Sequence, residues 1–169
     1  MTRERIVIPI EELSILKELA ARRNGIKFEK GVRNQRYTDR LGDFDIHYQG
    51  IQGEYAVALW FRENGWNADI DRTISPGGDD KVSDLVINDV TIQVKSRERR
   101  PDGDLYFNHP KLFRAHIAIL TIYMREGNII IPGWTTKEHF MQYHNQKNFG
   151  YGTRYCLEEK DLLDLDELK

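Results

Sequence analysis

Asp84, Gln93 and Lys95 place a carboxylate, an amide and an ammonium within one twelve-residue segment. A two-residue loop at Asn88-Asp89 folds that segment into a hairpin. Ile87 then faces Val90, Val86 faces Thr91, Leu85 faces Ile92, and Asp84 faces Gln93. Side chains alternate along a strand, so Leu85, Ile87, Val90, Ile92 and Val94 share an apolar face, while Asp84, Gln93 and Lys95 share the other. Directly opposed β-carbons lie about 5 Å apart and diagonal neighbours about 7–8 Å. A slip of one residue would bury the charges, so the apolar face fixes the register. A carboxylate, an amide and an ammonium thus converge at the open end of the hairpin. An ordinary half-buried hairpin with a polar outer face satisfies the same alternation, with Asp84 and Lys95 as a surface ion pair worth little.

The elements around this hairpin read as a mixed α/β domain. The chain has 169 residues, the size of one domain. Residues 9–23 form a helix with Glu11 and Glu12 in its first turn and Arg22 and Arg23 in its last. Asn24-Gly25 is expected to end it. Residues 26–50 are polar and basic with little periodicity and read as a long loop. A second helix covers 54–64, and its run from Ala56 to Phe61 is apolar nearly all round, as in a buried helix. Strands are expected at 67–74, 84–88, 90–96 and 115–123, and a late edge strand at 153–157. The stretch 97–114 holds Pro101 and Pro110 and reads mostly as loop. Thr135 and Glu138 have capping-box spacing at the start of a third helix.

Composition excludes several classes. A single cysteine, Cys156, forbids an intramolecular disulfide. No apolar run reaches the roughly 18 residues of a membrane span, and the first residues lack an apolar signal core. A cytoplasmic protein without membrane contact is expected. The net charge is −2, but its distribution is uneven. Residues 22–40 carry seven basic residues against two acids, 95–114 carry six against three, and 158–169 carry two against six. Basic segments with an acidic tail suit a polyanionic partner; two solvated loops and an acidic final helix account for the same counts.

Asp84 opening one strand and Gln93-Val94-Lys95 on the next resemble the PD-(D/E)xK nuclease superfamily, in which an acid opens a strand and an acid-x-lysine follows. Glu54, on the preceding helix, looks like the glutamate that often completes such sites. The order of a helix and then strands is similar to the restriction-endonuclease-like core, a mixed central sheet flanked by helices. Here it carries an extra N-terminal helix. The segment from Ile131 to Phe140 looks like the tail of phage-type members. The resemblance covers about residues 50–140 of one domain spanning 1–169. That domain divides into an N-terminal helix and basic region (1–50), the nuclease-like core (51–145), and a C-terminal strand with an acidic tail (146–169). Three positions depart from the pattern. Ser83 stands where proline is common, Gln93 replaces the usual acid, and the link after Lys95 lacks a helical pattern.

The resemblance implies a Mg²⁺- or Mn²⁺-dependent DNA endonuclease, acting on branched, junction-like DNA or on phage or host duplex. It would work in the host cytoplasm if phage-encoded. Asp84 would be the principal ligand, with the Val94 carbonyl a second and Glu54 serving a second ion or holding a water. Gln93 would offer an uncharged side-chain oxygen. Lys95 would orient or deprotonate the attacking water, or stabilise charge on the phosphate. Arg33, Arg36, Arg40, Arg97, Arg99 and Arg100 would contact the nucleic acid, and Ser96 could touch phosphate. Tyr37, Tyr106 and Phe107 would stack on bases or simply pack. Two-strand cutting would call for a homodimer. Glu54 equally suits the N-terminal turn of a helix, and Asp79 and Asp80 read as loop residues. The histidines read as structural. An uncharged Gln93 also fits a nucleic-acid-binding relative on the same fold that has lost catalysis. A third reading is a protein adaptor using the acidic tail.

Overall fold

The computed structural model describes residues 3–29, 42–72, 83–98, 104–150 and 152–169. Among them the fold is mixed α/β, with helices and sheets sharing one chain.

Two long helices come early. Helix α1 spans Ile10–Glu29, and it is preceded by a short strand, β1, Glu4–Val7. Gly25 does not stop α1. One glycine costs a helix only about 1 kcal/mol, a preference that tertiary packing overrides. Leu16, Leu19 and Ala20 bury the inner stripe, whereas Ile15 is exposed. Helix α2 spans Asp43–Glu63, so the expected loop over 26–50 is corrected to two helical ends around residues 30–41, which lie outside the described residues. Phe44, Tyr48, Ile51 and Tyr55 recur at helical spacing in a polar stretch, and the last three are buried. That stripe explains the earlier start. The Gly42 backbone N–H donates to the Asp45 carboxylate at the mouth of the helix.

Strands β2, Leu85–Ile87, and β3, Val90–Glu98, form the expected hairpin. Asn88 and Asp89 both take positive φ, 47° and 65°, which a two-residue turn of this hand requires. Leu85 pairs with Ile92, Val86 with Thr91, and Ile87 with Val90. Strand β4, Leu105–Phe107, and a 3-10 turn at Pro110–Leu112 interrupt the expected loop. Strand β5, Ile117–Arg125, lies parallel to β3, and β6, Asn128–Thr136, returns antiparallel. Residues 67–72 form no strand, although Ala68 and Ile70 are buried. Their alternation reflects packing on the core without a strand partner; 73 and 74 lie outside the described residues.

Helix α3 covers Lys137–Tyr143. Its N-cap is Thr136, one residue later than expected: Thr135 is fully buried, and it is the Thr136 hydroxyl that accepts the His139 N–H. Strands β7, Asn145–Asn148, and β8, Thr153–Leu157, complete the sheets. The larger sheet has the order β1-β6-β5-β3-β2, and the smaller has the order β4-β8-β7. Strand β8 therefore sits in the centre of its sheet and not at an edge. The chain ends in 3-10 turns at Glu159–Asp161 and Leu165–Leu168 and not in a helix.

Three layers result. α1 and α2 cover one face of the larger sheet, over Ile92, Ile119, Ile129 and Ile131. The smaller sheet and α3 cover the other, where Leu105, Phe107, Phe113, Phe140 and Leu157 meet Ala118 and Leu120. Residues of β3 therefore alternate between the two interiors. No described helix is long and apolar enough to cross a membrane.

Candidate active site at the β2–β3 hairpin

Asp84 sits where β2 begins. Its backbone N–H donates to the Ile92 carbonyl at 2.8 Å, and its carboxylate accepts the Val94 N–H at 2.7 Å. Strand β2 is too short to pair with Val94, so the side chain of Asp84 takes over the ladder there. A strand residue projects its N–H and C=O toward the same edge. The Val94 carbonyl is thus directed to the edge that Asp84 occupies.

Lys95 is the next residue and points to the opposite side from Val94. Its ammonium lies 4.7 Å from the centroid of the Phe107 ring, within cation–π range. Burial pushes the ammonium below its ordinary 10.5. Asp84 opposes that shift and Arg97 adds to it, which sets Asp84 and Lys95 in one electrostatic site. Phe107 is held in turn by Phe113, stacked at 4.8 Å, and by Phe140, edge-on at 5.1 Å.

Gln93 shares the face of Lys95, but its amide is turned to the loop before β5. Its Nε2 donates to the Leu112 carbonyl at 3.2 Å. Its Oε1 accepts the N–H groups of Arg114, at 2.9 Å, and Ala115, at 3.4 Å. Glu54 lies on α2, across the sheet from Lys95. Its carboxylate meets Arg23 of α1 at 3.3 Å, and Arg23 also donates to the Asp71 carbonyl at 2.5 Å. The structure therefore couples Asp84 with Lys95, ties Gln93 to a loop, and ties Glu54 to α1.

The remaining expected contacts divide as sharply. Arg97 lies 3.3 Å over the Tyr106 ring and donates to the carbonyls of Asp104 and Tyr106 along the outer edge of β4. Ser96 shares a hydrogen bond with Thr121 beneath Gly53 on the helix side, away from Lys95. Phe107 is 2% exposed and packs. Arg33, Arg36, Arg40, Arg99, Arg100, Tyr37, Asp79 and Asp80 lie outside the described residues. Four of the five histidines are engaged in the framework, at 109, 116, 139 and 144. His109 caps the 3-10 turn, His116 accepts from Thr91, His139 meets the Asp161 carbonyl, and His144 meets the Phe140 carbonyl. The acidic tail is bound to the fold: Leu163 pairs with Trp134, and Glu159 ion-pairs with Arg3.

Among the described residues, no group of three His, Cys, Asp or Glu side chains is arranged to hold a metal. Mg²⁺ needs only one or two carboxylates when substrate phosphate and water complete its shell. Asp84 with the Val94 carbonyl fits that smaller demand, whereas the engaged amide oxygen of Gln93 does not. The place of Phe107 under Lys95 and of Arg23 beside Glu54 carries no motif signal and emerges from the tertiary structure alone. The polar neighbours of Gln93 are likewise nineteen or more residues away in sequence.

No family model matches the chain, and no curated protein matches it.

Proposed function

We propose that the protein is a metal-dependent endonuclease that hydrolyses DNA phosphodiester bonds at the Asp84–Lys95 pair, on a restriction-endonuclease-like core. The observation that carries this reading is the hairpin register, which sets the Asp84 carboxylate at the Val94 edge and the desolvated Lys95 ammonium beside it. The parallel β3–β5 pairing after an antiparallel hairpin supports the same core.

Asp84 and the Val94 carbonyl would hold a hard divalent ion such as Mg²⁺ or Mn²⁺. Such an ion supplies positive charge to the phosphate and acidity to water. Lys95 in its charged form stabilises the negative charge that develops on the phosphate oxygens. Burial makes its proton easier to release, which would suit the alternative role of orienting the attacking water or helping to deprotonate it. The Phe107 ring covers one side of that ammonium at 4.7 Å.

Supercoiled plasmid, linear duplex and a four-way junction, each with Mg²⁺, Mn²⁺ or EDTA, test the reading. Cleavage should need the metal. Asp84→Asn and Lys95→Ala should each lower it about a hundredfold or more at unchanged fold. Full activity in either variant removes this pair from the reaction. A catalytically silent DNA-binding module is the second reading, favoured by the engagement of Gln93 with backbone where the nuclease motif carries an acid. It predicts binding without cleavage in any metal.

A further inference from the structure

Gln93 uses both ends of its amide. It donates to one carbonyl, Leu112, and accepts from two N–H groups, Arg114 and Ala115. A glutamate of the same shape could accept those two N–H groups, but it would set an oxygen against the Leu112 carbonyl. The residue type that departs from a metal-ligating acid is therefore the type this loop requires.

The loop itself is distinctive. His109, Lys111, Arg114 and His116 lie within eight residues, and no acid occurs from residue 105 to 125. His109, Lys111, Arg114 and His116 are all exposed, while Phe113 between them is fully buried as an anchor. The His109 ring accepts the Lys111 N–H, which fixes the first half of the loop, and Gln93 fixes the second. Lys95 extends from the same face of β3, two residues beyond Gln93. A positively charged surface is thus clamped, by residue 93, next to the candidate reacting pair.

We propose that Gln93 is a positioning residue, and that the loop it positions, through Lys111 and Arg114, binds the DNA backbone flanking the Asp84–Lys95 pair. Charge selects a polyanion as the occupant, since this loop offers cations and donors and its own segment, 105–125, carries no acid. The proposal rests on the endonuclease reading for the identity of the strand. It departs from that reading in removing Gln93 from the metal and in placing backbone contacts at Lys111 and Arg114.

The full-length protein, a fluorescein-labelled DNA duplex and a salt titration in EDTA give the first test. Each lost phosphate contact on duplex DNA lowers the log–log salt slope by about 0.9. Lys111→Ala with Arg114→Ala should therefore reduce the slope by about 2. An unchanged slope overturns the proposal, even if the wild-type protein cuts DNA. The second test compares Gln93→Glu with Gln93→Ala in the same binding assay and in Mn²⁺-dependent cleavage. Gln93→Glu should weaken binding about tenfold in EDTA, where no metal is present, and should speed exchange of the Arg114 and Ala115 amides. Gln93→Glu that binds DNA normally, cuts faster and needs less Mn²⁺ makes residue 93 a ligand and overturns the positioning role. Absence of cleavage under every condition, with the expected loss of slope, defeats the nuclease reading and leaves this surface standing.

Discussion

Ile92, Val94 and Ser96 leave β3 on one side; Gln93, Lys95 and Arg97 leave it on the other. The first set meets α2, where Gly53 lies against the Ser96–Thr121 pair and isoleucines from three strands fill the space. The second set meets rings: Lys95 over Phe107, Arg97 over Tyr106, and Phe113 and Phe140 behind. On the helix face the Ser96 and Thr121 hydroxyls satisfy each other at 2.8 Å. The ring face holds cations against aromatic surfaces, whose electron-rich faces attract them. One strand thus lines an apolar wall and a cation-bearing one at once, because alternation sends consecutive residues into different interiors.

Three experiments press on that difference. The largest effect is expected for Phe107→Ala. Loss of a buried ring should cost about 3–5 kcal/mol in urea unfolding and return the Lys95 amine toward its ordinary range. A loss under about 1 kcal/mol would show that the ring face is loosely packed. Next comes Gly53→Ala. The added β-carbon would overlap Ser96 Oγ and stand 2.6 Å from Thr121 Oγ1. The overlap should outweigh the roughly 1 kcal/mol that alanine gains in a helix, for a net loss of about 2 kcal/mol. Ser96→Ala in the same chain should recover part of it in a thermal melt; no recovery would place the strain elsewhere. The smallest effect concerns pH. The folded state holds Lys95 below its ordinary 10.5, so between those two values the unfolded chain binds more protons and stability rises with pH. The gain is complete above 10.5 and is lost as pH falls through the lowered value. Lys95→Met should flatten this part of the curve, and a parallel curve in the variant would show that burial does not penalise the charge.

The hairpin was legible because three local signals agree. Asn88-Asp89 suits left-handed backbone, apolar residues alternate on both sides of it, and only one register keeps the charges off the apolar face. The reach of α2 was not legible in the same way. Phe44, Tyr48 and Ile51 are sparse among polar neighbours, and their stripe gains meaning only against the sheet they cover. Strand β1 carries no local signal for a related reason: four residues become a strand when β6 supplies the ladder. Thr135 offers a good capping sequence, yet it is buried with its hydroxyl donating to the Thr136 carbonyl, and the cap falls to Thr136.

By itself, the sequence determined the mixed α/β class, the β2–β3 register and the nearness of Asp84 to Lys95, all consequences of short-range alternation and turn chemistry. Tertiary structure alone decided where the side chains around that pair go. Gln93 turns to Leu112, Arg114 and Ala115, Glu54 turns to Arg23, and Phe107 comes under Lys95 from another sheet. The physical reason is range. Strand periodicity fixes on which face a residue lies, whereas a hydrogen-bond partner or a desolvating ring arrives from distant chain and is set by how the layers close.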